Sequence, residues 1–165
     1  MTEEKRIKIA EDNLGRLLDW ISRIDSKSSV ILGVSTAMLG ILAGLAPPPR
    51  LWTVRTEIVG LLGFLGPSLS LLSVYLVNYP RTKGPSTSLN FFGGIAKNTF
   101  REYTKAFMSI SSADYLSDVL EQCHRNAEIV SRKFSALKWS YRSLLIGAVP
   151  WIVCLYYFRT LGGSC

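Results

Sequence analysis

The fold of this chain is decided by residues 28–49, which read SSVILGVSTAMLGILAGLAPPP and contain no charged side chain. A second uncharged stretch, residues 58–80, reads IVGLLGFLGPSLSLLSVYLVNYP. In an α-helix, about 20 residues span the hydrocarbon core of a bilayer, so each stretch is long enough to cross a membrane once. The sequence therefore predicts transmembrane helices over 28–49 and 58–80, joined by a short external loop over 50–57.

A third uncharged stretch, residues 143–158, lies between Arg142 and Arg159. It is slightly short for a crossing, but the long side chain of Arg142 can extend toward the interface, where Trp and Tyr are also enriched. We predict a third crossing over 143–159, followed by a tail over 160–165. The alternative for this stretch is a buried core helix.

The distribution of charge predicts the topology. The chain has 165 residues, with 19 Lys and Arg against 12 Asp and Glu. Segments 1–27 and 81–142 hold sixteen of the basic residues. Because cytoplasmic loops are enriched in Lys and Arg, both segments are expected in the cytoplasm, which gives a multi-pass protein with a cytoplasmic N-terminus. The single His and three Cys without a CxxC pair exclude a structural zinc module and a disulfide scaffold.

The cytoplasmic segments are predicted to be helical. Residues 1–27 carry apolar side chains at helical spacing and form an amphipathic helix that continues into the first crossing. In the small sensor segment 81–142, Thr99 and Glu102 form a capping box that begins a helix. Residues 88–96, which read SLNFFGGIA, are expected to be neither strand nor helix.

A long helix is predicted to begin at Ser112 and to continue without a break into the last crossing. Its apolar residues keep a heptad spacing from Leu116 to Tyr141, which is typical of a coiled coil. The sequence Gly40-Ile-Leu-Ala-Gly44 is a GxxxG pattern, which allows two helices to approach closely. Together these features predict an all-α membrane protein that forms a homo-oligomer.

No catalytic or metal-binding pattern is present, so we expect neither an enzyme nor a cofactor. His124 is the single histidine, and packing on a helix is its simplest role. The adjacent rings of Phe91 and Phe92 could stack on a base, and Gly93 would let the backbone approach an anion. The alternative is that these rings anchor the loop in the inner leaflet, and composition alone favours that alternative.

Four short segments, taken in order, resemble PycTM, the transmembrane effector family of Pycsar antiphage defence. They are DWISRIDSK at 19–27, SLNFFGGIA at 88–96, the pair Glu102-Tyr103, and QCHRNAEIVSRK at 122–133. The resemblance implies a bacterial inner-membrane protein that responds to cUMP or cCMP made by a partner pyrimidine cyclase. It implies that the activated effector impairs membrane integrity and aborts phage infection, with the lipid bilayer rather than a nucleic acid polymer as its partner.

The resemblance also assigns roles to particular residues. It implies a ligand loop of Asn90, Phe91, Phe92 and Gly93, in which Phe92 stacks on the pyrimidine. Two other functions remain open: a constitutive membrane adapter or scaffold, and an effector gated by a cyclic oligonucleotide. The further ligand-binding residues are Tyr103, His124, Asn126, Arg132 and Lys133, and the residues expected to couple the ligand to the membrane are Asp19, Asp25 and Lys27.

Overall fold

A computed structural model describes residues 1–79 and 88–162, and these residues form helices and the loops between them, with no strand. The predicted end of the second crossing at residue 80, the start of the sensor segment over 81–87 and the end of the tail over 163–165 lie outside the described residues. The elements are α1 Glu3–Leu45, a 3-10 turn Pro49–Leu51, α2 Val54–Asn78, α3 Phe92–Ile95, α4 Phe100–Ser109 and α5 Ser112–Gly162.

Three of these helices, α1, α2 and α5, are long and apolar enough to cross a membrane. In each of them, no more than a third of the apolar stretch is buried inside the protein. Leu145 and Ile146 of α5, for example, are 74 % and 77 % exposed. Side chains of this kind are stable against lipid but costly in water, so the all-α membrane fold predicted from the sequence is confirmed.

The chain divides into two compact units, each built from two separate stretches. The first unit comprises Met1–Arg23 and Pro80–Arg132, and the bundle unit comprises Ile24–Tyr79 and Lys133–Cys165. Helices α1 and α5 contribute residues to both units, and each is a single helix. This confirms that the amphipathic N-terminal helix continues into the first apolar stretch, and that the helix from Ser112 continues into the last.

In the bundle unit, α2 packs antiparallel to α5 through small residues. Gly60 lies against the ring of Phe158, and two turns further along α2, Gly66 lies against Gly147. A Cβ atom on Gly147 would lie 2.5 Å from the Cα atom of Gly66, closer than real Cβ contacts occur. The two backbones are therefore in direct contact, which only glycine at both positions permits.

The α1 segment of the bundle is held by hydrogen bonds to both other helices. The buried Ser35 hydroxyl donates to the Ser70 hydroxyl of α2 at 3.2 Å. The indole N–H of Trp151 on α5 donates to the carbonyl of Met38 at 3.0 Å. Polar contacts between apolar helices are favourable because no water competes for these groups.

The GxxxG pattern of α1 does not contribute to this packing. A Cβ atom added at Gly40 or Gly44 would meet nothing within 4 Å. The close helix contact is instead made by Gly66 and Gly147, whose pairing across two distant segments has no local sequence pattern. The homo-oligomer that the GxxxG pattern suggested stays a prediction.

The heptad seam predicted on α5 is only partly buried. Leu137 is 5 % exposed, but Leu120 and Phe134 of the same seam are 51 % and 55 % exposed. The most buried apolar residue on the N-terminal half of the helix is Val119, one position from the seam. Intramolecular packing therefore uses a neighbouring stripe, and the coiled coil stays a prediction.

Candidate functional site

The ligand loop predicted at residues 90–93 lies in a tight turn organised by Ser88. The buried Ser88 hydroxyl accepts the backbone N–H groups of Asn90 and Phe91, at 3.2 and 3.1 Å. The Gln122 side chain of α5 donates to the same hydroxyl at 3.1 Å. A short helix, α3, follows at Phe92–Ile95, where the sequence predicted no helix. The helix forms because the turn has already directed the Phe91 carbonyl toward the N–H of Ile95, at 3.0 Å.

The turn is attached to α5 by the Asp118 carboxylate. This carboxylate accepts the backbone N–H of Leu89 at 3.0 Å and the side-chain amide of Asn90 at 3.2 Å. The Tyr103 hydroxyl of α4 donates to the Leu89 carbonyl at 3.5 Å. Two predicted ligand residues, Asn90 and Tyr103, thus meet at one turn, but both are already engaged in holding it.

Sequence reasoning missed Asp118 and Gln122, which supply the acceptor and donor that fix the turn. The available signal was their i, i+4 spacing, which places both side chains on one face of α5. Gln122 also lies within the segment 122–133 that resembles the PycTM family, although no role was assigned to it.

The two aromatic rings of the turn contact each other. The rings of Phe91 and Phe92 are 4.7 Å apart between centroids, and Phe92 is 65 % exposed. A Cβ atom at Gly93 would lie 2.6 Å from the Phe91 ring. A side chain at this position would therefore displace the Phe91 ring, which gives glycine a packing role whether or not an anion binds there.

Helix α4 begins with the capping box that the sequence predicted. The Thr99 hydroxyl accepts the backbone N–H of Glu102 at 3.3 Å, and the Glu102 carboxylate accepts the backbone N–H of Thr99 at 2.9 Å. These hydrogen bonds to the ionised carboxylate lower the pKa of Glu102 below its ordinary value. The box fixes the start of α4 and so the position of Tyr103 one residue later.

A cavity of about 460 Å³ lies beside the turn, between α4 and α5. Three carboxylates line it, from Asp114, Asp118 and Glu121, together with three serines, and no Lys or Arg lines it among the residues that the structure describes. No group of three or more His, Cys, Asp or Glu residues converges on a metal position in the described part of the chain. The cavity therefore suits hydroxyl and amine donors and disfavours a phosphate, which the carboxylates would repel.

The N-terminal part of α1 packs against α5 within the first unit. The Tyr115 hydroxyl donates to the Glu11 carboxylate at 2.8 Å, and the Cys123 thiol donates to the Ala10 carbonyl at 3.3 Å. The bond to Glu11 and partial burial raise the pKa of Tyr115 to about 12. Burial likewise raises the pKa of the Cys123 thiol, which remains a neutral group at physiological pH.

A groove of about 480 Å³ lies between these same two helices. The predicted residue His124 lines it from α5 and is exposed. On the α1 side it is lined by Asn13, Arg16 and Trp20, none of which sequence reasoning assigned to the ligand. His124 therefore lies at a different surface from the turn that holds Asn90.

The remaining predicted ligand residues are spread along α5. Asn126 donates its side-chain amide to the Gln122 carbonyl of its own helix at 2.9 Å. Arg132 is exposed, and the Lys133 ammonium forms an ion pair with Asp25 inside the bundle unit. Asp25 was expected to couple the ligand to the membrane, and the pair gives it a partner on α5. The other two expected coupling residues, Asp19 and Lys27, are exposed on α1.

Comparison with known proteins assigns the chain to a family. A family model described as the Pycsar effector protein domain, PycTM, matches residues 9–158. Comparisons with curated proteins and with solved structures gave no match. The matched region includes the turn, the groove and all three apolar helices, which agrees with the resemblance seen in the sequence. The chain thus belongs to the PycTM family, whose members are Pycsar transmembrane effectors of antiphage defence in the inner membrane.

Proposed function

We propose that this protein is gated by a cyclic pyrimidine mononucleotide, cUMP or cCMP, which a partner cyclase makes during phage infection. The first unit binds the nucleotide in the cytoplasm. The three apolar helices then impair the integrity of the inner membrane, and growth stops before phage matures. The nucleotide-binding residues predicted from the sequence stay predictions under this proposal.

The observation that carries the proposal is that α1 and α5 belong to both units. A nucleotide that binds to the α1 or α5 part of the first unit would therefore contact a helix that also belongs to the bundle. A ligand changes a conformational equilibrium only if its affinity differs between the two states. Because α1 and α5 are shared, a change of conformation at the nucleotide would also change the position of these helices in the bundle.

The topology supports a cytoplasmic first unit. Within the bundle unit, α1 and α5 run parallel, because Asp25 pairs with Lys133 and Met38 further along accepts from Trp151. Two parallel crossings begin on the same side of a membrane. That side is the cytoplasm, since segments 1–27 and 81–142 carry most of the Lys and Arg.

We propose that the Asp25–Lys133 ion pair restrains the bundle. Its two side chains are 41 % and 18 % exposed, so water screens the pair only in part. Removing one partner leaves a half-buried charge without its counter-ion and favours separation of α1 from α5. The Asp25→Asn variant should therefore lower the nucleotide concentration needed for activation.

The test of the function uses the full chain reconstituted in vesicles that contain a self-quenched dye. The vesicles receive cUMP, cCMP, cAMP, cGMP or a cyclic dinucleotide, and dye release is recorded. Release caused by one cyclic pyrimidine alone supports the proposal. Release caused by the cyclic dinucleotide would show that the effector is gated by an oligonucleotide, and no release with any of the five would favour an adapter.

The restraint is tested in the same vesicles. Asp25→Asn and Lys133→Met should both shift the half-maximal nucleotide concentration to lower values. Lys138→Met is the matched control, because Lys138 is an exposed residue of the same helix outside the pair. Equal half-maximal concentrations for Asp25→Asn and the control would contradict a restraining role for the pair.

A further inference from the structure

We infer that the groove between α1 and α5 in the first unit binds the signalling nucleotide, with the base on Trp20 and the phosphate at Arg16. The identity of the ligand rests on the function proposed above. The inference moves the ligand away from the aromatic turn at Phe91 and Phe92. Of the residues predicted from the sequence, only His124 lines this groove.

The groove has the dimensions of a small-molecule site. Its volume of about 480 Å³ falls within the range of roughly 300–1,000 Å³ that is usual for such sites. Asn13, Arg16 and Trp20 are spaced by three and four residues, so one face of α1 presents all three. Cys123 and His124 face them from α5.

Trp20 supplies a flat surface for a base. Its side chain is 53 % exposed, although it lies in the polar N-terminal part of α1 and outside the apolar stretches. Among the described residues no ring or cation contacts the Trp20 indole. Exposed aromatic rings at such positions stack on bases without needing a particular base sequence, which suits a single nucleotide.

Arg16 supplies a positive charge that is already oriented. Its Nη2 atom donates to the Asn13 side-chain oxygen at 2.7 Å, and its Nε atom donates to the Asp12 carbonyl at 3.3 Å. No carboxylate forms an ion pair with Arg16 in the described part of the chain. A guanidinium held in this way keeps donors available for phosphate oxygens, for which its planar geometry is well suited.

Charge separates this groove from the cavity beside the turn. The cavity is lined by Asp114, Asp118 and Glu121, whereas no Asp or Glu lines the groove among the described residues. A cyclic mononucleotide carries one negative charge on its phosphate. Repulsion by three carboxylates disfavours that charge in the cavity, and the Arg16 guanidinium favours it in the groove.

The experiment measures nucleotide affinity by isothermal titration calorimetry on the full chain in phosphatidylcholine nanodiscs. The probe is cUMP or cCMP, whichever binds the wild-type protein more tightly. Trp20→Leu and Arg16→Gln should each weaken binding at least tenfold, and Trp20→Phe should retain most of the affinity. Arg101→Gln is the control, matched in chemistry to Arg16→Gln but outside the groove. Phe92→Leu tests the alternative site at the aromatic turn. Both should stay within twofold of wild type.

Each outcome is informative. Wild-type affinity in both Trp20→Leu and Arg16→Gln, with a loss in Phe92→Leu, would overturn the inference and leave the proposed function intact. If only Arg16→Gln loses affinity, the groove holds a phosphate, such as that of a lipid headgroup, without a base. This result would also overturn the inference. No binding of either nucleotide to the wild-type protein would overturn the proposed function itself. Unchanged melting temperatures of the ligand-free variants exclude a folding defect as the cause of a loss.

Discussion

The backbone contact between α2 and α5 gives a quantitative prediction for the Gly147→Ala variant. The new methyl group would lie 2.5 Å from the Cα atom of Gly66, about 0.9 Å short of the 3.4 Å at which ordinary contact begins. The obstructing atoms are backbone and cannot rotate away, so the two helices must separate. Inserting a methyl group into a close-packed contact costs about 1–3 kcal/mol. We therefore expect the free energy of unfolding of Gly147→Ala to fall by roughly this amount relative to a neutral Gly→Ala change.

Gly40→Ala is that reference, because a Cβ at Gly40 meets nothing within 4 Å. Both substitutions gain the same helix propensity, about 0.5–1 kcal/mol, so their difference isolates the helix contact. Unfolding is followed by tryptophan fluorescence as the mole fraction of SDS in mixed micelles increases. Equal stability of the two variants would refute the argument that α2 and α5 meet backbone to backbone.

Three further predictions concern the first unit. Asp118→Ala should lower the free energy of unfolding, measured by thermal denaturation, by about 1–3 kcal/mol, because two N–H donors lose their acceptor. The control Glu121→Ala should leave the free energy of unfolding unchanged. Because the folded pKa of Glu102 lies below its ordinary value of 4.5, the capping box stabilises the protein above that pH and this contribution disappears as pH falls through the lowered pKa. The melting temperature of Thr99→Ala, measured between pH 7 and 3, should therefore depend on pH much less than that of the wild-type protein. The pKa of Tyr115 is raised from 10.0 to about 12, so its bond to Glu11 stabilises the fold below pH 10 and is lost as pH rises toward 12. The difference in tyrosinate absorbance between wild type and Tyr115→Phe should titrate in that range, and a midpoint near 10 would contradict the hydrogen bond.

The helices of this protein could be predicted from the sequence because they depend on local patterns. Uncharged stretches of about 20 residues, a capping box at Thr99 and the absence of Pro or Gly between Ser112 and Gly147 define where helices form. The structure begins α4 directly after Thr99 and α5 at Ser112. The helix contacts depend instead on which faces meet across the chain. Gly66 and Gly147 are 81 positions apart, and the GxxxG pattern at Gly40 gave no guide to their pairing.

The candidate site was predictable only in part, for a related reason. Aromatic and glycine residues at 91–93 look like a ligand loop in sequence, whereas in the structure Phe91 covers Gly93 and Asp118 holds Asn90. The groove is formed by residues more than 100 positions apart on two helices. Trp20 has no sequence feature that relates it to His124, so only the packing of α1 on α5 brings them to one surface.

The composition of the two units from separate stretches also constrains how the protein is made. Residues 1–23 leave the ribosome before their packing partners on α5, which follow only after the α1–α2 hairpin has been synthesised. The apolar face of the N-terminal segment therefore lacks its packing partner on α5 until synthesis passes residue 132. The α1–α2 hairpin is therefore synthesised before the groove between α1 and α5 can form. A nascent or truncated chain that lacks α5 has the hairpin of the bundle but no complete groove between α1 and α5.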